Sequence, residues 1–541
     1  DAVPRLRRFI LDLAVRGKLV AQDPSDEPPL EQLKQARHRL EKAAETTKRL
    51  RWNPSLAITV ADGGKDVPRG WLPARVNDTG LYINGLAFKP SDWKPEGLPI
   101  IRIQNLTDPS REFNFTQGDF PDEVLVRDGD ILVSWSATLE AFNWDRGPGV
   151  LNQHIFRVIP DEGLSTRDFL LLLLRHAIRE MADSEHAHGL VMSHINRGPF
   201  LEHIVLIAPL AEQHRIVAKV DELMALCDRL EAAQNKREQR RDRLVTASLQ
   251  QLQDQECLTP RRQGAKEEKE AVKNDLGALA PWREPVFLQD IPRLTTRPEH
   301  IKALRQTILN LAVRGRLVTQ DPTDARVQDF GITREVRQND RLVLTLPDNW
   351  CWAKVEHVAD ARLGKMLDKA KNRGQRYRYL GNTNVHWFDI RTDDLKELLI
   401  EDGEIEKYLL IDGDVLICEG GHGIARTAVW RATKGDVAFQ KALHRVRPST
   451  ALSSDFFAYC ISAYFDAGVL QTYFTGVGIP HFTGRALSSL VFPLPPISEQ
   501  RRIVAKVDEL MAVCDQLEAN LTTTQTDSRR LLEAVLRDAL A

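Results

Sequence analysis

The clearest pattern along the chain is a spacing of apolar positions that alternates between four and three residues, which is typical of coiled-coil helices. Near the C-terminus this spacing runs through Ile503, Val507, Leu510, Cys514, Leu517, Leu521, Thr524, Ser528, Leu531 and Val535. An earlier stretch has it at Ile216, Val220, Leu223, Cys227 and Leu230, turns polar at Gln234, Arg237 and Arg241, and regains it at Leu244. Each stretch predicts a helix of about 40 residues, about 60 Å long. Ser498 is the predicted N-cap of the later helix, with Glu499 in its first turn.

Both long helices belong to a duplicated unit. The segment EQHRIVAKVDELMALCDRLE, which begins at Glu212, returns as EQRRIVAKVDELMAVCDQLE at Glu499. Similarly, LRRFILDLAVRGKLVAQDP at Leu6 returns as LRQTILNLAVRGRLVTQDP at Leu304. A repeat offset of 287 to 298 residues is far too long for a solenoid, so each copy is a half-molecule of several elements.

The shorter repeats, Leu6–Leu19 and Leu304–Leu317, each predict a helix that stops at Gly17 or Gly315 and docks near the ends of the long helices. Two nearly identical apolar seams in one chain predict that the long helices pair with each other. The alternative is that each long helix packs only on its own domain.

Between these helices lie two blocks that do not repeat closely, Pro68–Pro209 and Leu346–Pro495. Short apolar alternations broken by Gly, Pro and Asp predict strands and turns, with helices at Asp168–Met181 and Asp455–Tyr464. The predicted fold is therefore α+β: two α+β domains, separated by two long antiparallel coiled-coil helices, in pseudo-twofold duplicated halves. Residues 31–51 predict a charged, solvated helix, and Gln253–Asn274 a mobile connector.

The predicted organisation has five parts. They are an N-terminal helical region (1–52), a first α+β domain (53–210), a central region with one long helix, a linker and a short helix (211–345), a second α+β domain (346–496) and a C-terminal long helix (497–541).

Composition narrows the class of protein. The chain has 541 residues, 42% hydrophobic and 28% charged, which suits several globular domains. Six widely separated cysteines without a CxxC motif indicate neither a disulfide framework nor a zinc site. No apolar run reaches membrane-helix length and the start lacks signal-peptide features, so we expect a soluble, intracellular protein. Because the chain begins at Asp1 rather than methionine, we expect an N-terminal piece to be missing.

Charge is distributed unevenly. The net charge of −2 argues against a binder of nucleic acid only if basic residues are evenly spread. The stretch RLGKMLDKAKNRGQRYR, residues 362–378, holds seven basic residues and one acidic residue. It predicts a phosphate-facing surface, and a solvated charged loop is the alternative.

Motifs for catalysis are weak. We find no GxxxxGK[ST] loop, no GxGxxG after a strand and no NPPY-like or DPPY-like tetrapeptide. The Gly-rich turn Gly420–Gly423, the D-x-K spacing of Asp394 and Lys396, and the pair His186 and His188 are each better explained as ordinary turn or surface residues. We therefore predict no catalytic residue and no metal site in this chain.

Short motifs recur in the same order in both halves: PRGW and PDNW, GLPIIRIQNLTD and RYRYLGNTNV, GDILVSWSAT and GDVLICEGG, HGLVMSHINRGPF and TGVGIPHFTGRAL, PLAEQHRIVAKVDEL and PISEQRRIVAKVDEL. Singly each motif is weak, but their twice-repeated order is specific. Over essentially its whole length the chain resembles the specificity (S) subunit of type I restriction-modification systems, which has two target-recognition domains.

This resemblance implies a cytoplasmic, non-catalytic, DNA-binding subunit that serves DNA methylation and host defence. Its two domains would read the two halves of an asymmetric bipartite site on double-stranded DNA, and the coiled coil would set their spacing and dock two copies of a methyltransferase (M) subunit. Restriction and translocase (R) subunits are further candidate partners. S-adenosylmethionine, ATP and Mg are expected in the partner subunits, with no cofactor in this chain and no membrane contact.

Three alternatives stay open at this point. One is a coiled-coil interaction scaffold with two ligand-binding domains and no DNA contact. Another is a nuclease that uses Asp394. The third is the specificity subunit of a related fused or phage-exclusion system.

Candidate DNA-contacting residues are those whose side chains can reach base edges or phosphates. In the first domain they are Arg102, Gln104 and Asn105, where alternation predicts Arg102 and Gln104 opposite Ile101 and Ile103, then Ser134, Trp135, Ser136 and Thr138, and Asn152, Gln153 and His154. In the second domain they are Lys365, Lys369, Lys371, Arg373 and Arg376 for phosphates, with Tyr379, Asn382, Asn384, His422, Gln440 and Lys441 nearer the bases. For each, a turn or an internal hydrogen bond is the alternative. If the modified base is adenine, these contacts bracket a nucleotide flipped into the partner.

Overall fold

The computed structural model describes residues 2–46, 67–186, 196–254, 295–332, 346–368, 372–431, 436–476 and 478–540. The chain divides into two compact units, residues 1–236 with 528–541, and residues 237–527. Both units combine helices with β-sheet, which confirms the α+β class. Within the described ranges, no helix is both long and apolar enough to cross a bilayer. The connector predicted at Gln253–Asn274 lies outside the described residues from position 255 onward.

The helices are α1 (Ala2–Val15), α2 (Leu30–Thr46), α3 (Ile103–Thr107), α4 (Arg167–His186), α5 (Arg197–Glu202), α6 (Leu210–Asp254), α7 (Pro298–Val313), α8 (Val355–Val358), α9 (Ile405–Tyr408), α10 (Ser454–Asp466), α11 (Gly484–Ser488) and α12 (Ile497–Leu540). The helices predicted at 168–181 and 455–464 are confirmed as α4 and α10. The predicted long helices are confirmed as α6 and α12, which have 45 and 44 residues.

The strands of the first unit are β1 (Leu72–Arg75), β2 (Gly80–Asn84), β3 (Leu98–Ile101), β4 (Asn114–Thr116), β5 (Leu125–Val126), β6 (Ile131–Ser134), β7 (Glu140–Asn143), β8 (Gly149–Leu151), β9 (Ile155–Pro160) and β10 (Ile204–Ile207). Those of the second unit are β11 (Cys351–Lys354), β12 (Ala359–Leu363), β13 (Gln375–Leu380), β14 (Val385–His386), β15 (Asp389–Ile390), β16 (Lys396–Ile400), β17 (Val415–Cys418), β18 (Thr427–Val429), β19 (Val437–Phe439), β20 (Leu443–Pro448) and β21 (Val491–Leu494).

Strand order is the same in both units, although their sequences differ. An antiparallel sheet β2-β9-β6-β7 in the first unit corresponds to β12-β20-β17-β18 in the second. A four-stranded mixed sheet β4-β3-β8-β5 corresponds to a three-stranded mixed sheet β16-β13-β19, in which β13-β19 is parallel as β3-β8 is in the first unit. The pairs β1-β10 and β11-β21 close each domain beside its long helix. The duplication therefore extends to the domains whose sequences had diverged.

The main core of each unit lies between its antiparallel sheet and its helices. In the first unit, Ile131, Val158 and Phe169 are completely buried together with residues of α1 and the start of α6. In the second unit, Val415 and Phe456 are completely buried together with residues of α7 and α12. The antiparallel sheet of each unit is thus held by a well-packed core.

Helices α1 and α7 end in the way that the repeated glycine predicts. Gly17 and Gly315 adopt φ of +65° and +67°, a left-handed conformation that glycine adopts without steric cost. A Cβ atom at Gly17 would lie 2.6 Å from Pro68, and one at Gly315 would lie 2.7 Å from Pro347. Each glycine therefore also lets the following domain approach its helix.

Helix α2 differs from its prediction. It was expected to be solvated, but Leu33, Ala36 and Leu40 are buried. Two arginines on α2 also pair with buried carboxylates of the first domain, Arg37 with Asp78 at 2.9 Å and Arg39 with Asp161 at 2.7 Å. The high charge of α2 suggested a solvated helix, but three apolar residues on one face are enough to pack a short helix against a domain.

The start of α12 also corrects a prediction. The helix begins at Ile497, so Ser498 lies inside it and cannot be the N-cap. The hydroxyl of Ser498 donates instead to Asp324 at 2.5 Å. Asp324 also forms an ion pair with Arg502 at 2.7 Å. These contacts connect the start of α12 to the segment that follows α7.

The apolar seam of each long helix follows the predicted spacing only in its first part. Ile216, Val220 and Cys227 are buried as predicted, and so are the corresponding residues of α12. Farther along, Leu244 is 57% exposed, whereas its neighbour Val245 is buried. The same one-residue shift occurs in α12, where Leu531 and Val535 are 67% and 57% exposed and the side chains half-buried there are Leu532 and Leu536.

This shift has a local cause. The half-buried or buried positions from Gln234 to Val245 are Gln234, Glu238, Arg241, Asp242 and Val245. The step of eleven residues from Gln234 to Val245 moves the buried face relative to a heptad. Residues 237–254 belong to the second unit, where Val245 and Leu249 pack in one cluster with Ile301 and Leu304 of α7. The seam predicted beyond Gln234 is therefore wrong, because α6 packs against different residues there.

Candidate nucleic-acid interface

The first candidate surface lies where strands β3, β6 and β8 end. Because β3 and β8 are parallel neighbours, their carboxyl ends meet at one edge of the sheet. The backbone amide of Asn152 donates to the carbonyl of Ile101 at 3.1 Å, and that of Trp135 donates to the carbonyl of His154 at 3.3 Å. These bonds join the three segments that carry the first domain's candidates, residues 101–105, 134–138 and 151–154, which we call the first edge.

The second candidate surface lies where strands β13, β17 and β19 end. The backbone amide of Gln440 donates to the carbonyl of Leu380 at 3.1 Å, and that of Glu419 donates to the carbonyl of Ala442 at 2.9 Å. The side-chain amide of Asn382 donates to the carbonyl of Gly420 at 3.0 Å. We call residues 380–384, 418–423 and 439–442 the second edge.

The two edges share one backbone plan. The bond from Asn152 to Ile101 has its counterpart in the bond from Gln440 to Leu380, since both link the ends of parallel neighbouring strands. Side chains at corresponding positions differ between the edges. An equivalent scaffold with different polar groups is the arrangement expected of two domains that recognise different versions of one kind of ligand.

Side chains on the first edge fall into three groups. Those that project into solvent are Gln104, Thr138 and Gln153, and those that are half-buried are Arg102, Trp135, Ser136, Asn152 and His154. Asn105 and Ser134 are completely buried. Asn105 donates to the carbonyls of Arg111 and Glu112 at 3.3 and 3.2 Å, and Ser134 donates to the carbonyl of Ser136 at 3.2 Å. Both side chains therefore hold the edge together and are poorly placed for a ligand.

The alternation predicted for Arg102 and Gln104 is wrong. Strand β3 ends at Ile101, and helix α3 begins at Ile103. The guanidinium of Arg102 lies 5.7 Å from the ring centroid of Trp93 and donates to Asn114 at 3.1 Å, whereas Gln104 points into solvent. Apolar alternation over four residues could not distinguish a strand from a strand followed by one helical turn.

On the second edge, His422 and Lys441 are exposed, and Asn382, Asn384 and Gln440 are half-buried. Asn384 accepts from the amide of Gly381 at 2.9 Å and donates to the carbonyl of Arg391 at 3.0 Å, so its side chain stabilises a turn. Tyr379 packs on β13 against a small cluster that contains Leu398 and Ile400. His422, Gln440 and Lys441 remain the candidates best placed to meet a ligand.

Several residues of the basic stretch lie away from this edge. Arg373 and Arg376 are exposed, but they lie before and near the start of β13, and a six-residue strand spans about 20 Å. Arg376 also lies 3.4 Å from Glu397. Lys369 and Lys371 fall outside the described residues. A phosphate contact by Arg373 or Arg376 would therefore lie beyond the second edge.

Lys365 has a structural environment. It is 9% exposed, its ammonium pairs with Glu401 at 2.5 Å and also with Glu404, and it lies over the ring of Tyr408. A hydrogen bond from Lys365, together with backbone amides that include that of Arg373, lowers the pKa of Glu401 to about 2. Because two carboxylates already neutralise Lys365, we withdraw it as a phosphate contact and assign it to the packing of this loop.

One residue of the second edge, His481, was not predicted from the sequence. Thr475 and His481 exchange backbone hydrogen bonds of 2.9 and 2.7 Å, and His481 pairs with Gly420. A Cβ atom at Gly420 would lie 2.9 Å from the His481 ring, so glycine permits this close approach. The exposed His481 thereby joins the second edge, and the Gly-rich stretch GVGIPH beside it was the available signal.

The residues considered for catalysis are only partly described. Among the described residues, no group of three or more His, Cys, Asp and Glu side chains is placed to hold a metal ion. His188 and the side chain of His186 lie outside the described part. Burial raises the pKa of Cys418, beneath the second edge, to about 12, which keeps this thiol protonated at neutral pH.

Comparison with known proteins identifies the family. The family model for the type I restriction modification DNA specificity domain matches twice, at residues 68–238 and 347–524. Together these matches cover more than half of the chain. The chain belongs to this family. It is a DNA sequence-specificity subunit of the type I restriction-modification class, and each match contains one of the two edges.

Relatives of this subunit match over nearly its full length. The EcoAI and EcoEI type I restriction enzyme specificity subunits of Escherichia coli are each 24% identical over 99% of this chain and 94% of their own. A chain from a solved structure on complex assembly and conformational transition of the type I R-M system covers 88% of this chain at 16% identity, with a TM-score of 0.51. This last likeness supports the fold.

Proposed function

We propose that this specificity subunit reads an asymmetric, bipartite DNA site, with the first edge on one half and the second edge on the other. The observation that carries the proposal is the repetition of one backbone plan at both edges with different side chains. Polar side chains that follow strand ends can enter the major groove, where each base pair presents a distinct pattern of donors and acceptors. Two different sets of side chains on equivalent scaffolds would select two different half-sites.

The exposed candidates divide by chemistry. Gln104 and Gln153 carry amides suited to adenine, and Lys441 carries an ammonium suited to guanine. Thr138 and His422 can contact either bases or phosphates. Exposed arginines away from the edges, such as Arg376 and Arg378, would contribute contacts to phosphates that do not depend on sequence.

We further propose that α6 and α12 pair as an antiparallel coiled coil that fixes the distance between the edges. Its support is the shared seam and the division of both helices between the units: residues 237–254 of α6 group with the second unit and residues 528–541 with the first. At 1.5 Å per residue, helices of this length span about 65 Å. The unread gap between the half-sites would follow from that length.

Two equivalent surfaces would dock two copies of a methyltransferase subunit, because identical partners require identical contacts. Their support is a matched set of contacts in the two halves. Arg7 pairs with Asp228 and Glu231, as Arg305 does with Asp515 and Glu518, at 2.5–3.1 Å. Apolar side chains at corresponding positions of the long helices are also exposed in both halves, Leu226 with Val513 and Leu244 with Leu531.

In this proposal the chain itself is non-catalytic and acts in the cytoplasm, where bacterial DNA is found. S-adenosylmethionine would be held by the methyltransferase subunits, and ATP and Mg by restriction and translocase subunits. This chain would supply recognition and geometry. The adenine to be modified would leave the stack and enter the partner's pocket.

The test is to co-express the chain with its cognate methyltransferase and to map modified adenines across a genome by single-molecule sequencing. We expect a split, asymmetric motif with one modified adenine in each half. Exchange of Pro68–Pro209 for a foreign block should change one half only. An assembled complex that binds S-adenosylmethionine but modifies DNA without sequence preference would contradict the proposal and favour an interaction scaffold.

A further inference from the structure

The two edges contain one turn in duplicate, Asn152–Ile155 in the first domain and Gln440–Leu443 in the second. In each, the backbone makes the same five hydrogen bonds in the same order. In the first turn they are Gly85 to Ile155 (3.2 Å), Leu86 to Leu151 (2.7 Å), Asn152 to Ile101 (3.1 Å), Gln153 to Leu86 (2.8 Å) and Ile155 to Asn152 (3.2 Å). In the second they are Gly364 to Leu443 (3.0 Å), Lys365 to Phe439 (3.0 Å), Gln440 to Leu380 (3.1 Å), Lys441 to Lys365 (2.8 Å) and Leu443 to Gln440 (2.9 Å).

Apolar residues fix both turns on either side. Leu151 and Ile155 flank the first turn and are completely buried, as are Phe439 and Leu443 at the second. Gly85 and Gly364 lie directly against these turns. A Cβ atom at either position would lie 2.2 Å from a carbonyl oxygen of the turn, so glycine is required there. The backbone at each turn therefore presents its side chains from a defined and equivalent position.

At the second position of the turn, both side chains are exposed but chemically different. Gln153 occupies it in the first domain and Lys441 in the second. An amide can pair with adenine, donating to N7 and accepting from N6, whereas an ammonium donates to the N7 and O6 acceptors of guanine. The difference between these two residues is thus a difference in preferred purine.

The neighbouring residue supports the amide in the first domain only. The side-chain nitrogen of Gln153 lies 3.1 Å from Nε2 of His154. When Nε2 of His154 carries no proton, the amide donates one hydrogen to it and keeps the other hydrogen and the oxygen for a base. The second domain has Ala442 at the corresponding position, and a lysine needs no such orientation because its three donors rotate freely.

We propose that Gln153 and Lys441 are the corresponding specificity-determining residues of the two domains, Gln153 selecting adenine and Lys441 selecting guanine at equivalent positions of their half-sites. This inference rests on the proposed function and adds to it that Gln153 and Lys441 occupy equivalent reading positions, where each determines which purine its domain selects. It also predicts that the two positions lie equally far from the modified base of their own half.

The experiment exchanges the two side chains, Gln153→Lys and Lys441→Gln, in the chain co-expressed with its cognate methyltransferase. Modified sites are mapped across a genome, and the complex is titrated with duplexes that carry each of the four base pairs at every half-site position. For Gln153→Lys we expect one position of the first half-site to change from adenine to guanine preference, by about 10-fold or more. For Lys441→Gln we expect the reverse change at the equivalent position of the second.

Two matched variants control for the change in charge. Gln117→Lys places the same new charge at the end of β4, which is antiparallel to β3 and so ends away from the first edge. Lys354→Gln removes a charge from β11, outside the second edge. Both controls should alter overall affinity by no more than a small, sequence-independent factor and leave the motif unchanged.

Each outcome decides the inference. A wild-type complex without sequence-specific modification contradicts the proposed function itself. A sequence-specific wild type whose base preferences are retained in both exchanged variants overturns this inference alone. Loss of binding to every duplex would also overturn it, since an exposed long polar side chain at a reading position can be replaced by another without loss of backbone contacts. A change at positions that are not equivalent in the two halves would refute the shared geometry.

Discussion

Two buried carboxylates fasten the long helices to the domains that precede them. The indole of Trp71 donates to Glu212 at 3.0 Å, and that of Trp350 donates to Glu499 at 2.9 Å. Burial raises the pKa of both glutamates above their usual value. The two sites are unequal, because Glu499 also accepts from Gln320 at 2.5 Å, whereas one oxygen of Glu212 is buried without a partner among the described residues.

This inequality gives a prediction for Trp71→Phe and Trp350→Phe. Leaving a buried acceptor unpaired costs about 1–3 kcal/mol, and among the described residues Glu212 has no second donor that could replace the indole. We expect Trp71→Phe to reduce the stability of the first unit more than Trp350→Phe reduces that of the second. Hydrogen exchange of peptides from each unit measures this. Equal losses in both units would contradict it.

A second prediction concerns pH and the cluster around His176. This histidine on α4 lies 3.3 Å from Asp12 of α1 and 3.3 Å from Glu180, and Glu180 also lies 3.4 Å from His203. Burial alone would lower the pKa of His176, but hydrogen bonds to Asp12 and Glu180 outweigh it and raise the pKa above 6.5. The protonated histidine therefore stabilises the folded state.

Since the folded pKa is raised, this stabilisation is fully present below the unfolded value of about 6.5 and is lost as pH rises through the folded pKa. We expect exchange protection of α1 and α4 to fall as the pH rises above about 6.5, and His176→Gln to remove most of that fall. His38→Gln is the control, because His38 is exposed on α2. An unchanged pH dependence in His176→Gln would show that other groups cause it.

At this scale the sequence predicted where polar side chains would gather but not which of them face outward. Asn105 and Gln104 are neighbours in one polar motif, yet one is completely buried and the other exposed. Lys365 belongs to a basic run, yet two acids from residues 401–404 neutralise it. Exposure and pairing depend on residues distant in sequence, which a local pattern does not contain.

At the scale of single elements, periodicity predicted the long helices and the strand-rich domains well. It failed where a helix changes its packing partner, as α6 does after Gln234. A heptad pattern assumes one partner along the whole helix. When the partner changes, apolar residues on two adjacent faces of the helix are assigned to one continuous seam.

Leucines on these two faces provide a matched pair of substitutions. Leu249 is 8% exposed in the core of the second unit, whereas Leu244 is 57% exposed. We expect Leu249→Ala to destabilise the second unit by about 2–4 kcal/mol and Leu244→Ala by about 0.5 kcal/mol or less. Urea-dependent hydrogen exchange of α7 is the measurement. A larger effect of Leu244→Ala would restore the heptad register predicted from sequence.

At the scale of the whole molecule, the proposed coiled coil would link the length of α6 and α12 to the unread gap of the DNA site. If α6 and α12 pair as proposed, insertion of seven residues at corresponding positions, after Gln234 and after Leu521, preserves the phase of the seam. It lengthens the pair by about 10 Å, which matches about three base pairs of DNA at 3.4 Å each.

We therefore expect the modified motif to keep both half-sites while its unread gap grows by about three base pairs. Methylation mapping of the complex with its methyltransferase reads the gap directly. A control chain with the insertion in α6 alone should assemble poorly, because the two helices would differ in length. An unchanged gap in the doubly extended chain would rule out the coiled coil as the spacer.

The sequence by itself determined the duplication, the long amphipathic helices and the strand-rich character of the two domains, because these depend on repeats and on periodicities of a few residues. It also carried the family resemblance through the order of short motifs. Only the tertiary structure decided that β3 and β8, like β13 and β19, are parallel neighbours, which brings loops some 50 residues apart to one edge. It likewise decided that Gln153 and Lys441 occupy equivalent positions, because that correspondence rests on hydrogen bonds between distant strands and no local pattern records them.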